Sequence, residues 1–289
     1  MIGESATAVD PSISMGDQGI RYPSAMPSVN HVEPAPRRVR AVLGGETVFD
    51  TTNALYVWER PFYPQYYIPL VDVRGEFLVP EGNTQATRRG PVEVHALRVG
   101  ATERPRAAKL HKESPLEILN GTVRFDWAGL DTWYEEDEQV FVHPRSPYVR
   151  VDALRSTRRV RIELEGTVLA DSAAPVMVFE TGLPTRYYFH RTQVHFEHLL
   201  PSDTVTECPY KGVTSGYWAA RVGDTLVADV GWTYDFPTRE LSPIAGMIAF
   251  YNEKVDLFLD DQRLERPHTH LVAGSAGLTF QSGPPDASR

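Results

Sequence analysis

Apolar and polar residues alternate along this chain in short bursts, each closed by glycine, proline or an acidic turn. Val160-Arg161-Ile162-Glu163-Leu164 alternates, Glu165-Gly166 reverses the chain, and Val168 opens the return. Alternating stretches joined by a two-residue loop of this kind predict a β-hairpin. Residues 217–222 and 225–230, joined by Gly223-Asp224, predict a second. Ala249-Phe250-Tyr251 and residues 255–260, around Asn252-Glu253-Lys254, predict a third. No segment sustains apolar residues at i, i+3 and i+4 over about twelve residues, so long helices are not expected. Short helical turns are expected only after Pro69 or Pro243. The pattern is that of an all-β protein made of small antiparallel sheets.

The pattern also repeats. Arg37-Arg38-Val39-Arg40 recurs as Arg158-Arg159-Val160-Arg161. The same ungapped shift of 121 superimposes Leu43 on Leu164, Gly45 on Gly166, Asp50 on Asp171 and Val57 on Val178. It also places Glu59 on Glu180, Tyr66-Tyr67 on Tyr187-Tyr188, and Val73 on Val194, so that 12 of 37 positions are identical. A later match, residues 96–100 against 219–223, needs a slightly different shift, as after a change in loop length. Internal duplication is the direct explanation. The expected organisation is an N-terminal arm over residues 1–36, a first domain over 37–155, a second over 156–265, and a tail over 266–289. Both end segments are rich in small residues and proline and lack periodicity, as in flexible segments.

The second copy carries a distinctive run: Glu180, Leu183-Pro184, Tyr187-Tyr188, Arg191 and Val194, then Cys208-Pro209-Tyr210-Lys211-Gly212, Tyr217-Trp218, Trp232-Thr233-Tyr234, and Phe250-Tyr251. In order and spacing, over roughly residues 158–262, this resembles the family called domain of unknown function 427. The resemblance implies a β-tent fold in each copy, two small antiparallel sheets meeting at an angle around an aromatic-lined hollow. A nucleotidyltransferase label sometimes attached to that family is not carried over, because neither copy has a Gly-Ser step followed by an Asp-x-Asp metal pair. The first copy departs from the pattern. Thr87-Arg88-Arg89-Gly90-Pro91 stands where the second has residues 208–212, Trp127 is the expected counterpart of Trp232, and residues 101–115 read as an insertion.

Charge and cysteine content narrow the function classes. The net charge of −9 argues against non-specific nucleic-acid binding, which needs a basic face. A single cysteine, Cys208, permits no internal disulfide and cannot supply the paired Cys-x-x-Cys turns of a structural zinc site. With no signal-peptide pattern and no long apolar run, the expectation is a cytoplasmic protein that does not enter membranes. No phosphate-binding loop, dinucleotide fingerprint or Gly-x-Ser-x-Gly elbow occurs, and no cofactor or metal is expected. His143, before a proline, reads as a surface turn residue, and His268-Thr269-His270 is a weak ligand pair.

The residues support three functional readings. In the first, the second domain is a small-molecule-binding module with a pocket built from Glu180, Tyr188, Arg191, Lys211, Tyr217, Trp232 and Tyr234. Aromatic faces stack on a planar ligand, and Arg191 and Lys211 suit an anionic group. Adjacent strand residues face opposite ways, so of Tyr187 and Tyr188 only one is expected in the core. In the second reading the chain is an enzyme. Cys208 would be a nucleophile whose pKa Lys211 lowers, with His190, His195 or His198 as base, or Glu180 would serve as a general acid or base. In the third, the duplicated domains form an interaction or assembly unit. The structural alternatives at each position are a Glu180 bonded to a tyrosine or a backbone N–H, aromatics that only fill a thin core, and a Lys211 paired with Glu207 or Asp203.

Overall fold

A computed structural model describes residues 27–267. Strands dominate, broken by short 3-10 turns, and they fall into two halves of matching topology. In the first half a seven-stranded antiparallel sheet runs in the order Val32–Pro34, Leu55–Val57, Gln65–Pro69, Thr122–Phe125, Thr102–His111, Gly90–Val99, Leu78–Thr87. In the second the order is Val151–Arg155, Val176–Glu180, Arg186–Phe189, Ile248–Phe250, Thr225–Thr233, Gly216–Val222, Leu199–Ser202. Each half adds a four-stranded sheet, with Val39–Leu43 and Val160–Leu164 at equivalent inner positions. The all-β expectation holds in both copies; the second adds to its two sheets a two-stranded one, Glu207–Cys208 with Gly212–Val213. The stretch expected as an arm ends inside the first sheet, since Val32–Pro34 pairs with Leu55–Val57. Residues 1–26 and the His268-Thr269-His270 pair lie outside the described residues.

Local chemistry explains the turns. The first hairpin of each copy reverses through two residues with positive φ, Gly44-Gly45 in one and Glu165-Gly166 in the other. That is the turn whose twist suits a hairpin. A bulge recurs as well: Arg106 and Asp229, both with positive φ, occupy the same place in the long hairpin of each half. The hairpin at residues 217–230 forms as expected. The third expected hairpin does not. Ile248–Phe250 lies between Arg186–Phe189 and Thr225–Thr233 in the large sheet, while Asp256–Leu259 crosses to pair with Val160–Leu164. Residues 101–115 are not an insertion either; strand Thr102–His111 is the counterpart of Thr225–Thr233. A 3-10 turn, Leu70–Asp72, follows Pro69 as expected, whereas Pro243 lies inside the turn Arg239–Ile244.

The core of each half sits between its two sheets. In the first it joins Val39, Ala41 and Leu43 to Tyr66, Ile68 and Leu97; in the second it joins Val160, Ile162 and Leu164 to Tyr187, Phe189 and Phe250. A second apolar cluster covers the opposite face of each large sheet. It is small in the first copy, with Val57, Tyr67 and Leu119, and extensive in the second, with Tyr188, Tyr217, Trp232, Tyr234 and Tyr251 among its members. Both tyrosines of each adjacent pair are therefore buried, one on either side of the sheet. As expected, only one of each pair enters the inter-sheet core; the other faces the opposite way, where the outer cluster buries it too.

Two equivalent glycines offer a controlled test of packing. Gly90 and Gly212 have φ of 93° and 94°. A Cβ at Gly90 would lie 2.6 Å from the Glu113 carbonyl oxygen, whereas one at Gly212 meets nothing nearer than 3.6 Å. Gly212→Ala is expected to cost about 1–2 kcal/mol from backbone strain alone. Gly90→Ala adds a backbone clash and should cost about 3 kcal/mol or more. Urea unfolding midpoints read the difference, and equal losses would contradict it.

Candidate functional site

The outer face of the second large sheet carries a part-open cavity of about 120 Å³. Strand alternation selects its floor. Val178 and Glu180 point the same way from Val176–Glu180, as do Arg186 and Tyr188 from Arg186–Phe189. Trp232 and Tyr234 come from Thr225–Thr233 and the residue after it, and Tyr251 from the end of Ile248–Phe250. The rim is the turn between Glu207–Cys208 and Gly212–Val213, together with Leu183 and Pro184 of the neighbouring loop. Most of the pocket thus lies beside the large sheet and outside the inter-sheet core.

Charge enters as matched pairs. Lys211 Nζ bonds Glu180, with side chains only 9% and 11% exposed. This replaces both expected arrangements, Lys211 with Glu207 or Asp203 and Glu180 with a tyrosine. Burial alone would pull Lys211 down, but the Glu180 carboxylate bonded to it holds it above the ordinary lysine range, so it stays an ammonium. Cys208 Sγ lies 3.9 Å from the same nitrogen. Burial pushes its thiol up and Lys211 only partly opposes this, which is opposite to the expected low-pKa nucleophile. Arg186 grips Glu253 with two 2.7 Å bonds and lies over the Trp232 and Tyr251 rings.

Hydroxyls are also engaged. Trp232 Nε1 donates to Tyr188 Oη at 3.3 Å, and burial lifts that phenol to about 12. Tyr217 Oη lies 3.0 Å from both Thr206 Oγ1 and Tyr251 Oη. Trp232 and Tyr251 form one wall, with ring centres 4.4 Å apart. One wall residue comes from the connection between the copies. His143, expected at the surface, is buried in the cavity lining and stacks on Tyr63 of the first domain at 3.7 Å and 9°. Its Nδ1 is 2.8 Å from the Pro144 carbonyl, an acceptor only, so that nitrogen holds the proton. Burial holds the ring's pKa down near 4.

Of the residues expected in the pocket, Glu180, Lys211, Tyr217, Trp232 and Tyr234 line it, with Cys208 beside them. Tyr188 is buried behind the wall. Arg191 is not there; it is exposed, reaching the Gly246 carbonyl and Asp235 and lying over Trp218. His190, His195 and His198 belong to the turns near it and do not line the cavity. Arg186, Tyr251 and His143 were missed as site residues. Arg186 had a signal, since it stands two residues before Tyr188 and so shares its face.

Register locates the counterparts in the first copy. Tyr67 pairs with Arg124 as Tyr188 pairs with Ala249, and Lys109 lies opposite Arg124 as Trp232 lies opposite Ala249. Trp127 is therefore not the equivalent of Trp232; it stacks on Trp133 against the inter-sheet core. Arg89, just before Gly90, takes the place of Lys211 and lies 3.5 Å from Glu59, whose carboxylate also accepts from Tyr67 Oη at 2.9 Å. A carboxylate, a cation and a tyrosine thus meet at one place in both halves, while the wall differs. Ala249, Trp232 and Tyr234 are replaced by Arg124, Lys109 and His111.

No curated protein matches the chain. The family model described as domain of unknown function (DUF427) matches twice, over residues 31–136 and 152–261. With one match on each half and the carboxylate, tyrosine and cation repeated in both, the chain belongs to the domain of unknown function 427 family.

Proposed function

We propose that the second domain binds a small, uncharged molecule carrying a single aromatic ring. The observation that carries this reading is the cavity walled by Trp232, Tyr251, Tyr217 and Val178, in which Lys211 and Arg186 each face a carboxylate of their own. An apolar cavity of about 150 Å³ accepts benzene, and this one is slightly smaller but open on one side. An anion gains little from cations already neutralised, so the aromatic part of the expected ligand chemistry is favoured over the anionic part. Binding is favoured over catalysis because the thiol is held protonated and the lysine is held charged, leaving neither as a nucleophile.

Saturation-transfer NMR with phenol, benzamide and benzoate tests the reading. Phenol and benzamide should receive signal from the protein, and Leu183→Trp, at the rim, should abolish it. Absence of transfer to all three, or transfer unchanged by Leu183→Trp, would remove the proposal. Preference for benzoate would restore the anionic form.

A further inference from the structure

The matching face of the first domain points to different chemistry. Five ionisable side chains converge there: Glu59, Arg89, Lys109, Arg124 and Asp126. Three are cations and two are carboxylates. Tyr67 and His111 are the other titratable groups packed against them, and both are neutral at pH 7. Tyr63 faces the same field, and Arg60 adds an exposed cation near it. Arg89 also reaches Tyr67 Oη at 2.9 Å and Asn30 Oδ1 at 3.3 Å. This half-buried cluster therefore holds more positive than negative charge, although the chain as a whole is acidic.

The pairing is also stretched. Glu59 is shared among Tyr67, Arg89 at 3.5 Å and Arg124 at 3.4 Å, and Lys109 has Asp126 only at 3.5 Å. Charge-assisted bonds settle at about 2.7–2.9 Å when one donor has one acceptor to itself. Only Arg124 with Asp126 is close. His111 Nδ1, buried at the edge of the group, has no hydrogen-bond partner. Donors outnumber acceptors in a place where water screens poorly, and that calls for one further acceptor with negative charge.

We infer that the first domain binds a single small oxyanion, a phosphate or carboxylate group, between Arg89, Lys109 and Arg124. The site is separate from the aromatic cavity and stands whether or not that cavity binds a ring. Planar guanidinium forks at Arg89 and Arg124 match two oxygens of such a group, and Lys109 supplies a point charge. In the second domain Lys211 is the sole cation at these three positions, because Trp232 and Ala249 fill the other two.

Inorganic phosphate is the probe, added to the full chain at pH 7 against sodium chloride of equal ionic strength. A saturable rise in melting temperature is expected with phosphate and not with chloride. Lys109→Met, which balances the charges, should weaken phosphate about tenfold, while Arg150→Gln, exposed just before the strand Val151–Arg155, should leave it unchanged. The Nε–H resonances of Arg89 and Arg124 should shift on titration in the wild-type chain, a readout that does not depend on any variant folding. No saturable effect, an equal effect in Lys109→Met, or arginine resonances that stay in place would each overturn the inference.

Discussion

Glu180→Gln should lower the unfolding free energy by about 3–5 kcal/mol, the penalty for leaving a buried charge without its partner. Lys211 is 9% exposed and bonded to Glu180, and in the folded protein it stays protonated well above neutral pH. The glutamine amide can accept one bond but carries no charge to balance the ammonium. Cys208, the next group in reach, is held as a thiol by burial and cannot take over. Adding Lys211→Met removes the stranded charge. The double variant should therefore recover most of the loss, giving a large coupling energy in a double-mutant cycle. Urea denaturation reads both quantities. A loss below about 1 kcal/mol, as for exposed ion pairs, would mean that water reaches this pair freely.

The pair was only half legible in the sequence, and the reason is geometric. Glu180 stood out because Glu59 recurs at the same offset, and Lys211 because of the turn that carries it. Their meeting was not readable, since they are 31 residues apart and come together only when the strand Val176–Glu180 and the small hairpin share a face. Arg191 misled for a related reason. It comes just after the strand Arg186–Phe189 but sits in a 3-10 turn that carries it away from the cavity, whereas Arg186 on the strand itself points in. Alternation within a strand is local and can be read; the path of the chain past the strand's end is set by packing.

The fold divides in the same way. Hairpins closed by Glu165-Gly166 and Gly223-Asp224 formed as expected, because turn chemistry and alternation act over a few residues. The strand Asp256–Leu259 did not pair with its sequence neighbour, because its partner, Val160–Leu164, lies about a hundred residues earlier. His143 is the extreme case. It stacks on Tyr63, far earlier in the chain, and no feature within several residues of it announces that contact.

Acid should destabilise this chain well before its carboxylates are protonated, and two histidines set the window. Burial depresses His143 to about 4, and burial with the nearby Arg89 and Arg124 depresses His111 to the same level, against 6.5 for an unfolded histidine. Between those limits the unfolded chain binds more protons than the folded one, so stability falls as pH falls. The contribution is whole above pH 6.5 and is lost progressively down to about 4. At pH 5 each histidine should have removed about 2 kcal/mol, to order of magnitude. Glu59, Asp50, Asp171 and Asp256 are held below their ordinary values, so their loss begins only at lower pH and does not compete in this window. His143→Phe keeps a ring against Tyr63 and removes the titrating group, and His111→Phe does the same beside Tyr67. Each variant should flatten the decline in urea midpoint between pH 7 and pH 5 by its own share, and the double variant should nearly abolish it. A wild-type midpoint that is level across that range would show that both rings take up protons while folded, and with that the burial of His143 between the two domains would fall.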